Sequence, residues 1–148
     1  MDLNELGATM IDVNIDDFYH DIAVTLLSLY QQFPQKVSLY IEDICGPDEA
    51  DEFGLHSPRY LSCIGALTWL HDEGYIRYRD IVKQEAAEEC TLASKAFTKL
   101  AFPKIGKDRK EVSSIEKQQS SLVFRLHDAV KDQDSIAVRD LIEAHFLS

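Results

Sequence analysis

The chain has 148 residues, 45% hydrophobic and 28% charged, which suits one domain that buries its own core and is too apolar for disorder. Its formal net charge of −11 opposes phosphate binding and favours basic partners. No apolar run reaches the ~20 residues of a membrane span; Met1-Asp2-Leu3-Asn4-Glu5 lacks the basic start of a signal peptide, and Cys45, Cys63 and Cys90 are odd in number and scattered, so a cytoplasmic protein with free thiols is expected.

The segment from Met1 to Val13 reads as a frayed or loosely packed start. Asn14 then stands as a cap before Asp16 and Asp17, and Ile15, Phe18, Ile22, Leu26, Leu29 and Phe33 recur at helical spacing. Tyr19, Ala23, Leu27 and Tyr30 lie beside that stripe, so the helix is either central to the core or packed against a second subunit. Pro34 ends it. A short strand over 36–39 and a short helix over 39–45 follow, closed by Gly46-Pro47.

Residues 47–54 form an acidic loop with Asp48, Glu49, Asp51 and Glu52. Residues 1–60 hold 12 acids against Lys36 and Arg59 alone, so nearly all the negative charge precedes the next helix. Ser57-Pro58 is a helix start with a side-chain cap and proline at the first position. On this helix Tyr60, Leu61, Ile64, Leu67 and Leu70 are expected inward, with Arg59, Ser62, Gly65, Ala66, Trp69 and Asp72 largely elsewhere. A helix that reads a major groove needs Arg, Lys, Asn or Gln facing base edges, whereas small residues beside Trp69 suit packing against protein.

Gly74 stops the helix, and Tyr75-Ile76-Arg77-Tyr78-Arg79 alternates as a strand with one buried face. Glu85, Glu88 and Glu89 at the tip and on the return strand are expected to pair with Arg77, Arg79 and Lys83. Leu92-Ala93-Ser94-Lys95-Ala96-Phe97 opens a closing helix. The run Leu67-Thr68-Trp69-Leu70-His71-Asp72-Glu73-Gly74-Tyr75-Ile76 resembles the approach to the wing in winged helix-turn-helix regulators, and Leu92 to Ala96 resembles a degenerate form of the segment after it, with Thr and Gly both replaced by Ala. The resemblance covers a third to a half of the chain. It implies an α+β, mostly helical fold: a winged-helix domain with a three-helix core and a small β-hairpin wing, plus C-terminal helices. Winged helices serve DNA-binding and purely protein-binding roles alike, so the role is not fixed by it.

Within this single domain over 1–148, the core spans 14–102, a basic linker 103–112 and a helical extension 113–148. The linker carries Lys104, Lys107, Arg109 and Lys110. Ser113 or Ser114 starts a helix with Ile115, Leu122, Val123, Leu126 and Val130 on one side; Asp134-Ser135 breaks it, and Ile136, Val138, Leu141, Ile142 and Phe146 form a last amphipathic helix. His20, His56, His71, His127 and His145 are scattered, no glycine-rich phosphate loop occurs, and Ser62-Cys63-Ile64-Gly65 lacks the leading glycine of a nucleophile elbow. The expectation is a non-enzymatic regulatory or interaction module, without metal, cofactor or small-molecule substrate. It acts on another protein or as a homodimer through the first and last helices, using Asp48, Glu49, Asp51, Glu52, Ser62, Gly65 and Trp69. The competing reading is a DNA-binding regulator using Arg59, Arg77, Arg79, Lys83 and the linker bases. A third is an acidic DNA mimic that occupies a basic protein groove.

Overall fold

A computed structural model of the chain describes residues 3–102 and 121–147, with side chains from residue 13 on. The elements run α1 (Leu3–Gln32), β1 (Val37–Tyr40), α2 (Ile41–Cys45), α3 (Pro58–Asp72), β2 (Ile76–Arg77), β3 (Asp80–Val82), β4 (Ala86–Leu92), α4 (Ser94–Ala101), α5 (Leu122–Lys131) and α6 (Ser135–Phe146). This is an α+β architecture dominated by helices around a small antiparallel sheet. None of the described helices is long and apolar enough to cross a membrane.

Asn14 lies inside α1 rather than capping it, because the helix already runs from Leu3. Upstream of Asn14 only Gly7 opposes helix, at a cost of about 1 kcal/mol, and no proline interrupts. The apolar stripe starts later than the sequence suggests. Ile15 is exposed, whereas Tyr19, Ile22, Ala23, Leu26 and Leu29 are buried. The width of that stripe has its cause in the topology: α1 is central and packs against α3, α5 and α6. The faces of the first and last helices therefore meet within one chain. Tyr19 donates its phenolic hydrogen to Glu143 Oε1 of α6 at 2.7 Å, and Tyr75 donates to the Phe146 carbonyl at 2.9 Å.

In the sheet β4 is the middle strand. β1 pairs with it antiparallel on one side through Leu39↔Ala87 and Tyr40↔Ala86. β2 and β3 pair with it on the other side through Ile76↔Leu92, Arg77↔Thr91, Ile81↔Ala87 and Val82↔Ala86. The β3–β4 connection is the three residues Lys83, Gln84 and Glu85, the first two at φ +54° and +57°, closed by the Glu85 N–H on the Val82 carbonyl at 2.9 Å. Such a turn matches strand twist but disfavours residues with a Cβ, so its position is held by other contacts. One is from Tyr60, whose hydroxyl donates to the Gln84 carbonyl at 2.5 Å.

α3 begins as the sequence indicates. The Ser57 hydroxyl accepts the Tyr60 N–H at 3.3 Å and Pro58 fills the first position. It also ends as indicated, with Gly74 at φ +77° and the Tyr75 N–H on the Leu70 carbonyl at 2.9 Å, a bond pattern that satisfies the last turn. Its buried face is turned from the expected one: Cys63 and Ala66 are buried with Tyr60, Leu67 and Leu70, while Leu61 is 47% exposed. The cause is that α3 packs against both α1 and α2, and small side chains permit that double approach. The acids of the wing meet the expected pairing only in part. Arg79 and Glu89 are loosely paired at 3.8 Å, Glu88 accepts from the Ser38 hydroxyl at 2.6 Å, and Glu85 has no ion pair among the described residues.

The linker bases and the expected helix start at Ser113 or Ser114 lie outside the described residues. Beyond them Ser121 caps α5, its hydroxyl accepting the Phe124 N–H at 3.4 Å, and Asp134 caps α6 through the Ala137 N–H at 3.0 Å. Leu122, Leu126, Val138, Ile142 and Phe146 are buried, completing the core against α1.

Candidate functional site

Two groups of carboxylates flank α3. The first is internal. Asp21 of α1 is fully buried, and the Arg59 guanidinium grips it with two bonds of 2.7 Å, reaching Asp17 at 3.5 Å as well. Burial pushes the Asp21 carboxyl up, yet hydrogen bonds from His20 and Arg59 together with the Arg59 charge outweigh it and hold the group below the usual carboxylate range. The same contacts hold Arg59 firmly protonated. Arg59 is thus committed to α1, and its 31% exposure belongs to a group already occupied by acids.

The second group surrounds a cavity of about 420 Å³ lined by Tyr40, Glu42, Asp48, His56, Tyr60 and Glu85. Local structure explains how residues so far apart in sequence meet. The Ile41 N–H donates to the Glu85 carbonyl at 2.9 Å, which joins the β1–α2 junction, with Tyr40 and Glu42, to the hairpin tip. From the opposite side the acidic loop returns on itself: Asp48 Oδ2 accepts the Ser57 N–H at 3.1 Å and lies 3.0 Å from His56 Nδ1. The His56 ring stacks on Tyr60 at a centroid distance of 3.9 Å and an interplanar angle of 13°. Hydrogen bonds from the Ser57 hydroxyl and N–H, opposed by slight burial and aided by His56, keep the Asp48 carboxyl low. The Tyr60 phenol is raised by burial first and then by Glu42, Cys45, Glu85 and Asp48, so three carboxylate charges act on one ring.

Between these loop ends the acids also shape the backbone. Asp51 Oδ1 accepts the Phe53 and Leu55 N–H groups at 2.8 and 2.9 Å, and the Leu55 carbonyl accepts the Asp51 N–H at 2.8 Å. The loop so fixed holds Phe53 79% and Leu55 63% exposed. Of the four loop acids expected at an interface, Asp48 and Asp51 therefore order the loop, and Glu49 and Glu52 are exposed.

The α3 residues expected at an interface divide. Gly65 is exposed and Ser62 half-buried, whereas Trp69 is half-buried against Phe18 of α1, edge to face at 5.1 Å, and near Tyr75 at 6.1 Å. Of the expected DNA contacts, Arg77, Arg79 and Lys83 are exposed on the hairpin, apart from Arg59 at α1, and Lys104, Lys107, Arg109 and Lys110 lie outside the described residues. Tyr40 and Glu42 carry no individual reading from the sequence, where His56, Tyr60 and Glu85 stand as a scattered histidine, an inward α3 residue and a wing acid; the clustering of acids before α3 hinted at Glu42 alone. Among the described residues no group of three or more His, Cys, Asp and Glu side chains is arranged to hold a metal ion, so these acids stand around a space instead of converging on a point. Cys45, Cys63 and Cys90 are free, and burial pushes the Cys63 and Cys90 thiols up, Cys90 to about 12, which leaves them poor nucleophiles. No protein-family model, curated protein or solved structure matches the chain.

Proposed function

We propose that this chain is a winged-helix module that works by protein association, presenting the acidic face of the β1–α2 junction, the 47–57 loop and the hairpin tip to a basic partner protein. The order of elements from α1 to α4, with a middle strand that returns from a hairpin, supports the winged-helix assignment. The carrying observation for the role is charge that folding does not use. Glu42 and Glu85 line a cavity without a cation paired to either among the described residues, beside a loop whose apolar side chains point outward. Like charges held together cost stability, and opposite charge on a partner removes that cost. A second copy of the chain fits this face less well, since a two-fold contact would set two negative surfaces together.

The DNA-binding reading draws on Arg77, Arg79, Lys83 and the linker bases, but Arg59, which it also uses, is held by Asp21 and Asp17. Fluorescence anisotropy of labelled mixed-sequence duplex DNA, first at low and then at raised salt, separates the two. The expected result is no saturable binding even at low salt. Micromolar binding that weakens steeply with salt would overturn the proposal, because that slope is the signature of phosphate neutralisation.

A further inference from the structure

We infer that Cys45 and Cys63 form a redox-active pair, a modification site at which a peroxide converts the two thiols into a disulfide that joins α2 to α3. The inference stands apart from the acidic-face reading above. α2 packs on α3, and the two sulfurs meet where these helices touch. The Cys63 thiol donates to the Cys45 sulfur, and the Cys45 thiol donates to the Gly46 carbonyl at 3.6 Å, so the groups make one chain of hydrogen bonds. A disulfide holds its sulfurs about 2.05 Å apart, a short closure from hydrogen-bond contact. α2 supplies that movement: it has five residues and ends against Gly46, whose φ is +94°. Cys90, buried on β4, takes no part in the chain.

Exposure assigns the two roles. Cys45 is half-buried and open to a small oxidant, whereas Cys63 is fully buried. Burial raises both thiols; against it, the hydrogen bond from Cys63 and then the Arg59 charge act on Cys45 to favour its thiolate, so Cys45 reacts first. Its sulfur attacks one peroxide oxygen, the O–O bond breaks, and the departing hydroxide takes the Cys45 proton, leaving a sulfenic acid and one water. The Cys63 sulfur then attacks the Cys45 sulfur. The S–O bond breaks, and hydroxide leaves with the Cys63 proton as a second water. The two sulfurs together lose two electrons and the peroxide gains two. Burial makes Cys63 a poor nucleophile toward solutes, but its contact with Cys45 makes the second step intramolecular, for which effective molarities reach ~10⁵ M. The disulfide would close residues 46–62, the acidic loop included, between two pinned ends.

The test is intact-mass and peptide mapping of the folded full chain after hydrogen peroxide, with dimedone present in a parallel sample to trap sulfenic acid. The expected result is a monomer lighter by two hydrogens, a single Cys45–Cys63 cross-link, one remaining free thiol at Cys90, and recovery of all three thiols with dithiothreitol. Cys63→Ala is expected to lose the cross-link and accumulate the dimedone adduct at Cys45. Cys45→Ser, a change at a half-buried position, keeps the test open should C63A fail to fold, and is expected to leave Cys63 and Cys90 unoxidised. A Cys45 carried on to sulfinic acid beside a free Cys63 would overturn the pair. So would a dimer linked through Cys45, loss of two hydrogens in C45S, or three intact thiols at a peroxide dose that oxidises a cysteine peptide.

Discussion

The two groups of acids beside α3 differ in whether the fold neutralises them. Asp21 is buried and fully matched by Arg59, with both guanidinium bonds at 2.7 Å. Glu42 and Glu85 face a cavity without an ion pair to either among the described residues, and the His56 ring that also lines it is directed at Asp48. A matched buried charge fixes how α3 sits on α1. Unmatched charge at the surface contributes little to folding and remains available to a partner. The difference lies on separate links of the chain from sequence to function: the first group acts through packing, the second through recognition.

The sharpest way to break this contrast is Arg59→Ala, which leaves a buried carboxylate without its partner. A loss of about 3 kcal/mol is expected by urea denaturation. Replacing both members with apolar side chains, as in D21L/R59M, is expected to restore most of it, since a well-packed apolar pair often equals a buried ion pair. An R59A variant as stable as the wild type would remove the distinction between the groups.

A second prediction concerns pH. The folded Asp21 carboxyl lies below its ordinary value, so the unfolded chain binds more protons and stability rises with pH across that interval. The contribution of the pair is therefore complete above about pH 5 and falls away as pH drops below about 4, through the folded value. The stability gap between the wild type and R59A is expected to narrow on acidification; a gap that widens would place the wrong sign on the Asp21 shift.

Asp48→Ala is expected to lower the unfolding midpoint, by less than R59A does, because it removes the acceptor for the Ser57 N–H and the partner of His56 and so loosens the entry to α3. Thermal unfolding measures this directly. Asp48 thus stands between the two groups: it orders the loop and also lines the cavity. A variant without stability change would mean that the loop is held by Asp51 alone.

Local chemistry was legible in the sequence wherever a residue acts on its immediate neighbours. Ser57-Pro58, Gly74, the hairpin that follows and Asp134 before α6 all carry short-range signals for which composition is sufficient. Asn14 misled because a good cap residue is also tolerated inside a helix when nothing upstream stops it. The face of α3 could not be read from periodicity, because two neighbouring helices, not one, decide which small residues become buried. Longer range hid the rest. Arg59 meets Asp21 across 38 positions, and Tyr60 reaches Gln84 across 24. The excess of acids before α3 was visible, but which of them are matched was not, since matching depends on the β1–β4 register and on the fold of the loop.

The most direct measurement is the stability of E42Q/E85Q against the wild type in urea. If these charges serve recognition and not folding, the variant unfolds at an equal or slightly higher midpoint, with a change within about 0.5 kcal/mol, as expected for unpaired surface charge. A loss of about 1 kcal/mol or more would contradict this, because it would place both carboxylates among the interactions that hold the fold together.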